Sequence, residues 1–150
     1  MDSGAEYSRR IPVNIRDILP NIRSDLYHFV NDERNEMTQF FRWAKSCERI
    51  FPELALLYAI PNGLKRDGTR SEVGTRSGIP DIHLPARSGS FSSLYIEMKV
   101  GDNDTSREQD AWLKKLHAAG NAVCVAYGWI QAAWFTVEYL TDPDDFVSGP

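Results

Sequence analysis

The sequence predicts an α/β domain, a small mixed sheet flanked by helices, and three observations carry the prediction. Apolar residues recur at helical spacing over 32–50, 105–120 and 129–140. Short apolar or alternating runs stand at 54–60, 79–85, 94–100 and 122–127, each bounded by Pro, Gly, Ser or Asn. The order along the chain is α-β-β-β-α-β-α, and strands interleaved with helices pack as a sheet with helices on both sides.

Residues 1–31 read as an N-terminal helical appendage. Pro12 and Pro20 punctuate it, and Ile15, Ile18, Leu19, Ile22, Leu26, Phe29 and Val30 recur at roughly helical spacing. One or two short helices are expected there, covering the core or contacting a second subunit. The main domain is expected over 32–141. Its first helix, from Asp32 to Ile50, carries the stripe Met37, Phe40, Phe41, Ala44 and Cys47, widened by Trp43, and Pro52 stops it. The continuous run Leu54–Ile60 reads as a buried strand before Pro61-Asn62-Gly63. Ile79–Pro85 is a second strand, with Ile82 and Leu84 alternating, and a polar turn follows it. Leu94–Val100 alternates cleanly: Leu94, Ile96, Met98 and Val100 face one way, and Tyr95, Glu97 and Lys99 the other.

The next helix has a marked start. Thr105 and Ser106 each stand three residues before an acid or amide, Glu108 and Gln109, which is capping-box spacing. Trp112, Leu113, Leu116 and Ala119 form its apolar face, and Gly120 is a natural stop. Ala122–Tyr127 reads as a buried strand. Residues 129–140 read as a last helix with Ile130, Ala133, Trp134, Val137 and Tyr139 or Leu140 inward. Trp43, Trp112 and Trp134 fall on apolar stripes and read as core, whereas Trp129, after Gly128, stays open between core packing and base stacking. Residues 142–150 read as an acidic flexible tail.

Bulk composition narrows the function classes. The 150 residues are 42% hydrophobic and 25% charged, the profile of one globular domain that needs no disulfide scaffold. A net charge of −4 excludes a uniformly basic nucleic-acid coat. It leaves room for a local patch, and residues 61–79 supply one: Lys65, Arg66, Arg70 and Arg76 against Asp67 and Glu72. A solvated connection and a phosphate-gripping loop both fit that segment. The longest apolar run has seven residues, too few to cross a bilayer, and MDSGAEYSRR lacks the apolar stretch of a secretory signal. Cys47 and Cys124 sit inside apolar segments and read as buried, reduced thiols, so a reducing, cytoplasmic compartment is expected. His28, His83 and His117 are isolated, which argues against zinc and against a histidine-centred triad.

Two carboxylates and a lysine stand out. Asp81 follows Pro80 at the head of one strand, and Glu97 and Lys99 are two apart on the next, hence on one face. If the two strands pair as a hairpin, Asp81 and Glu97 converge. Convergent carboxylates make an oxygen-rich site for Mg²⁺ or Mn²⁺, and a lysine beside them stabilises charge developing on a phosphate. On spacing alone, a decorated strand and an ordinary turn aspartate fit as well.

Pro80-Asp81, a hairpin, then Glu97-Met98-Lys99 resembles the PD-(D/E)XK nuclease motif. The surroundings sharpen the likeness. IPNG at 60–63 with the basic loop after it, GIPDIHLP at 78–85, YIEMK at 95–99, Ser106-x-x-Gln109, Trp112-Leu113 and Gly120-x-Ala122-Val123 together resemble the virus-type replication-repair nuclease (VRR-NUC) family over roughly residues 33–140. The resemblance implies a restriction-endonuclease-like αβββαβ core and a metal-dependent DNA endonuclease. Asp81 and Glu97 would ligate the metal, with the Met98 carbonyl as a further ligand, and Lys99 would be the catalytic lysine. The family also places a glutamate on the first helix. Counting back from Trp43 favours Glu33, although Met37 stands where the family often has glutamine, and Glu36 with Gln39 is a substitute arrangement. Gln109 matches a glutamine at the start of the second core helix, and its capping-box role is compatible with reaching the site. Asn62, Lys65, Arg66, Arg70 and Arg76 are candidates for DNA backbone contacts.

The resemblance further suggests structure-selective cutting of branched DNA or four-way (Holliday) junctions by a homodimer, in a bacterial or phage-infected cytoplasm. Two other readings compete. One is a non-catalytic DNA-binding module that keeps the nuclease fold, against which the intact Asp81, Glu97 and Lys99 argue. The other is an unrelated α/β interaction protein.

Overall fold

The computed structural model describes residues 32–61 and 73–146. The expected appendage at 1–31 lies outside the described residues, as do Asn62, Lys65, Arg66 and Arg70.

Helix α1 spans Glu33–Ser46. Asp32 caps it, its carboxylate accepting from the Asn35 N–H at 2.7 Å. Glu33 and Glu36 in the first turn and Lys45 in the last complement the helix dipole. Its buried stripe is Phe40, Trp43 and Ala44, continued by Cys47, while Met37 and Phe41 sit half-buried at the stripe's edge.

The run expected to be a buried strand is different. Pro52–Leu56 is a 3₁₀ turn with proline at its start, and only the exposed pair Tyr58–Ala59 forms a strand, β1. Leu54 is buried, but Leu56 is exposed. A short apolar run has no period that separates strand from helical turn, and Pro52 at the first position favours the turn.

Strands β2 (Ile82–Leu84), β3 (Leu94–Lys99) and β4 (Ala122–Tyr127) complete a sheet of order β1-β2-β3-β4. β1, β2 and β3 are antiparallel neighbours, and β4 runs parallel to β3. The parallel pair requires a crossover, and helix α2 (Arg107–Ala118) supplies it. Its capping box is complete: Ser106 Oγ accepts from the Gln109 N–H, and Gln109 Oε1 accepts from the Ser106 N–H. The rival start, Thr105, instead donates its hydroxyl to Asp110. Gly120 follows α2 at φ +95°, the left-handed stop that glycine allows.

Helix α3 (Trp129–Thr141) packs with α1 on one face of the sheet. One core joins Phe40, Trp43, Ile82, Leu84, Leu94, Ile96, Met98, Cys124, Ala133, Val137 and Tyr139. Leu113 of α2 and Val123 of β4 are buried outside that cluster, on the face that carries Glu97. Both faces of β3 are therefore covered, as helices on both sides of the sheet require. Two further differences concern aromatics. Trp134 is 41% exposed because Ala132, Ala133, Thr136, Val137, Tyr139 and Leu140 form α3's inward face, so small residues rather than the tryptophan meet the sheet. Phe146, within the segment read as a flexible tail, is buried edge-on against Phe91, Phe135 and Tyr139. Among the described residues no helix is long and apolar enough to cross a membrane, and Cys47 and Cys124 are both free and buried.

Candidate active site

The β2–β3 register decides which charges meet. Ile82 pairs with Ile96, so the next position outward sets Asp81 opposite Glu97. Alternation then places Asp81 and His83 of one strand on the same face as Tyr95, Glu97 and Lys99 of the other. Asp81 Oδ2 accepts from the Met98 N–H at 2.8 Å, and the Asp81 carbonyl accepts from the Ile60 N–H at 2.7 Å. Both its side chain and its backbone are thus tied to neighbouring strands.

Glu97 is 1% exposed. Its Oε1 receives Lys99 Nζ at 3.1 Å and Gln109 Nε2 at 2.6 Å. Its Oε2 is buried without a partner; among the described residues Glu53 Oε2, on the 3₁₀ turn, is the other such side-chain atom. Burial, with the Asp81 charge added, pushes Glu97 from 4.5 up to about 7. Burial likewise pushes Asp81 from 3.8 up to about 6, against the opposing pull of the Met98 N–H. Lys99 lowers both, and Glu33 raises both. The first turn of α1 therefore brings Glu33 within electrostatic reach of the pair.

Glu36, the alternative helix acid, is engaged elsewhere. It is 6% exposed, and its Oε2 accepts from the Trp129 N–H at 2.6 Å. Gly128 offers no side chain to cap α3, so Glu36 does so from the neighbouring helix. Gln39 is exposed, and Arg76 is exposed on the segment that leads to Asp81.

Gln109 holds two positions at once. Its oxygen closes the capping box of α2 while its nitrogen donates to Glu97. Helix α2 is in turn fixed against the turn before Asp81. Ser77 Oγ donates to Glu108 at 2.8 Å, and Trp112 Nε1 donates to the Ser77 carbonyl at 3.0 Å. Gly78 between them has φ +80°, and a Cβ there would lie 2.8 Å from Glu108 Cβ and 2.9 Å from its carbonyl carbon. The tight backbone approach read from the sequence at Gly78 is present.

Sequence reading missed the surroundings of His83. Ser93 Oγ donates to Asn121 Oδ1 at 2.6 Å, so His83 Nε2 donates to Ser93 Oγ at 3.0 Å and the Tyr58 hydroxyl donates to His83 Nδ1 at 2.6 Å. Burial lowers the His83 pKa, which agrees with the neutral ring this chain of bonds requires. His83 also stacks on Tyr95, ring centres 4.1 Å apart. The register partner Tyr95 was readable once the hairpin was assumed; Ser93 and Asn121 were not.

Two carboxyl oxygens facing each other, one of them unpartnered, are hard donors suited to a hard divalent cation. Among the described residues no group of three or more His, Cys, Asp or Glu side chains is gathered as a metal cluster. Two carboxylates with the remaining positions left to water and substrate is the usual Mg²⁺ arrangement.

The fold and this carboxylate–lysine face define the class of restriction-endonuclease-like α/β domains. Among solved structures, a chain described as a "VRR_NUC domain protein" matches with a TM-score of 0.63 and 21% sequence identity, over 73% of this chain and 88% of that one. The chain has the VRR-NUC domain fold that the motifs suggested. No family model matches the sequence, and no curated protein does.

Proposed function

We propose that this chain is a metal-dependent DNA endonuclease. The supporting observation is the register-opposed pair of half-buried Asp81 and buried Glu97, beside Lys99 and with one Glu97 oxygen unpartnered. Asp81 and Glu97 would hold Mg²⁺ or Mn²⁺, with the Met98 carbonyl as a further oxygen. Bound there, the cation would polarise a phosphate oxygen and make water a better nucleophile near neutral pH. Charge arithmetic favours this reading. The two carboxylates and Lys99 sum to −1, a divalent cation brings the sum to +1, and a phosphodiester neutralises it.

The chain's own residues do the rest. Lys99, 3.1 Å from Glu97, lies where it can offset the extra negative charge of the transition state. Gln109 fixes the Glu97 carboxylate, and Glu33 adds a third acid at the rim. Glu97 is 1% exposed, with Gln109 of α2 packed on its carboxylate. The substrate is DNA, with branched or four-way junctions preferred and a homodimer supplying two sites for paired cuts. Arg76, with Asn62, Lys65, Arg66 and Arg70, is assigned to backbone contacts, and the bacterial or phage-infected cytoplasm is the proposed setting.

A cleavage panel tests the reading. Labelled duplex, nicked, flap and four-way-junction DNA are incubated with Mg²⁺, Mn²⁺ or EDTA, for wild type and Lys99→Ala. Metal-dependent cutting that falls about 10²- to 10⁴-fold in the variant supports it. Binding without cutting under any metal would instead support the non-catalytic module.

A further inference from the structure

The outer face of α1 holds a feature that the carboxylate site does not use. A cleft of about 490 Å³ runs between α1 and the edge strand β1, lined by Arg34, Met37, Thr38, Phe41, Arg42, Lys45 and Ala59. Helical geometry explains the lining. Arg34, Thr38, Arg42 and Lys45 recur at intervals of four, four and three, so they stack along one face as a rim. Met37 and Phe41, at the edge of the buried stripe, form its half-buried floor, and the exposed Ala59 lines the opposite side.

Every charged residue in that lining is a cation, in a chain whose net charge is −4. Lys45 lies 3.4 Å from Glu48, a surface pair that holds it weakly. Arg34 and Arg42 make no ion pair among the described residues. From Arg34 to Lys45 the rim extends about 16 Å along the helix, the reach of roughly five nucleotides of one duplex strand.

Both walls lead to the carboxylate pair. Arg34 follows Glu33, whose charge reaches Asp81 and Glu97. Ala59 precedes Ile60, whose N–H bonds the Asp81 carbonyl. A polyanion leaving the pair between α1 and β1 therefore meets cations, while the apolar floor suits sugar faces.

We propose that this cleft seats the phosphodiester backbone of the DNA flanking the scissile bond. The proposal rests on the nuclease reading and adds to it a binding track made by α1, outside the basic loop.

The test measures affinity as a function of salt, with divalent ions chelated, on a labelled duplex and a labelled four-way junction. Wild type, the double variant Arg34→Ala/Arg42→Ala and the control Lys114→Ala on the exposed face of α2 are compared. The double variant is expected to bind about 10- to 100-fold more weakly at 0.1 M salt and to lose about 2 from the slope of log affinity against log salt. Its melting temperature should match wild type.

If wild type binds and cuts DNA but the double variant shows the same affinity and slope, the cleft proposal is overturned and the nuclease reading stands. If Lys114→Ala weakens binding as much as the double variant, attraction is general and the cleft is again overturned. A double variant that melts earlier or changes its oligomeric state with unchanged affinity points to an internal segment or a second copy as occupant, and overturns the proposal. Wild type that neither binds nor cuts removes both readings.

Discussion

Replacing Glu97 by glutamine should stabilise the metal-free protein at alkaline pH and leave it unchanged at acid pH. Both carboxyls of the pair titrate higher in the fold than in the unfolded chain: Glu97 near 7 against 4.5, and Asp81 near 6 against 3.8. The folded protein thus keeps protons that the unfolded chain loses between about pH 4 and pH 7. Stability must then fall as pH rises through that window. For Glu97 alone the loss is on the order of 3 kcal/mol by pH 8. The Asp81 contribution is not additive, because each group is raised partly by the other. Glutamine keeps an oxygen for Lys99 and Gln109, and it replaces the unpartnered Oε2 with an uncharged amide. Lys99 retains Asp81 as counter-charge, so no lone cation is left buried. We expect Glu97→Gln to gain about 1–3 kcal/mol at pH 8 in EDTA, roughly 2–4 °C of melting temperature per kcal/mol, and nothing at pH 4.5. Denaturant titration of both proteins at pH 4.5, 6 and 8 reads this directly. Mg²⁺ or Mn²⁺ should stabilise wild type at pH 8 and reverse the order. Wild-type stability that rises with pH in EDTA, or a variant weaker than wild type at pH 8, would refute the reasoning.

Substitutions at three further residues probe the supports of the site. Gln109→Glu keeps an acceptor for the Ser106 N–H but sets a carboxylate against Glu97, whereas Gln109→Ala loses both bonds. Metal titration should show weaker binding in both, and the helicity of α2 should fall only in the alanine variant. Gly78→Ala places a Cβ against the first turn of α2 at a positive φ, so a loss of about 1–3 kcal/mol in denaturant titration is expected, with cleavage falling more than stability because Asp81 and Gln109 shift together. Glu36→Ala removes the acceptor for the Trp129 N–H and should cost about 1–2 kcal/mol, and Glu36→Gln should restore most of it, as thermal melts of the pair will show.

Much of this arrangement was legible before any coordinates. Alternation in 94–100 and the polar turn before it suggest a hairpin, and a hairpin, once assumed, brings Asp81 toward Glu97. Ser106 and Gln109 declared the start of α2 because a capping box is a local chemical signature. What failed was information that lives in packing. Leu54–Ile60 carried no period, so burial could not be read from it, and Pro52 was weighed as a stop rather than as the first residue of a turn. Trp134 looked inward on composition, but α3 meets the sheet through Ala132, Ala133 and Thr136, where a tryptophan would not fit. Counting back from Trp43 favours Glu33 but leaves Glu36 open along the chain. The contact that engages Glu36, with the Trp129 N–H, spans 93 residues and was out of reach of the sequence.

The same comparison says why Glu97, and not Glu36, is the carboxylate proposed as a ligand. Glu36 and Glu97 are both buried, and burial raises the pKa of both, so neither property distinguishes them. They differ in what faces their oxygens. Glu36 Oε2 receives a backbone N–H from the start of α3 and serves packing. Glu97 spends one oxygen on Lys99 and Gln109 and leaves the other facing nothing, across from a second carboxyl that the register fixes. An orphan oxygen alone is not enough, since Glu53 Oε2 has none to face it across a strand pair and lies on a 3₁₀ turn. The combination matters: an unsatisfied oxygen, an opposed carboxyl and only one lysine leave negative charge uncompensated where water has been excluded. Under the proposed function such a site would be unfavourable empty and favourable with a divalent cation, so the same residues predict both the alkaline weakness of the metal-free chain and its rescue by metal.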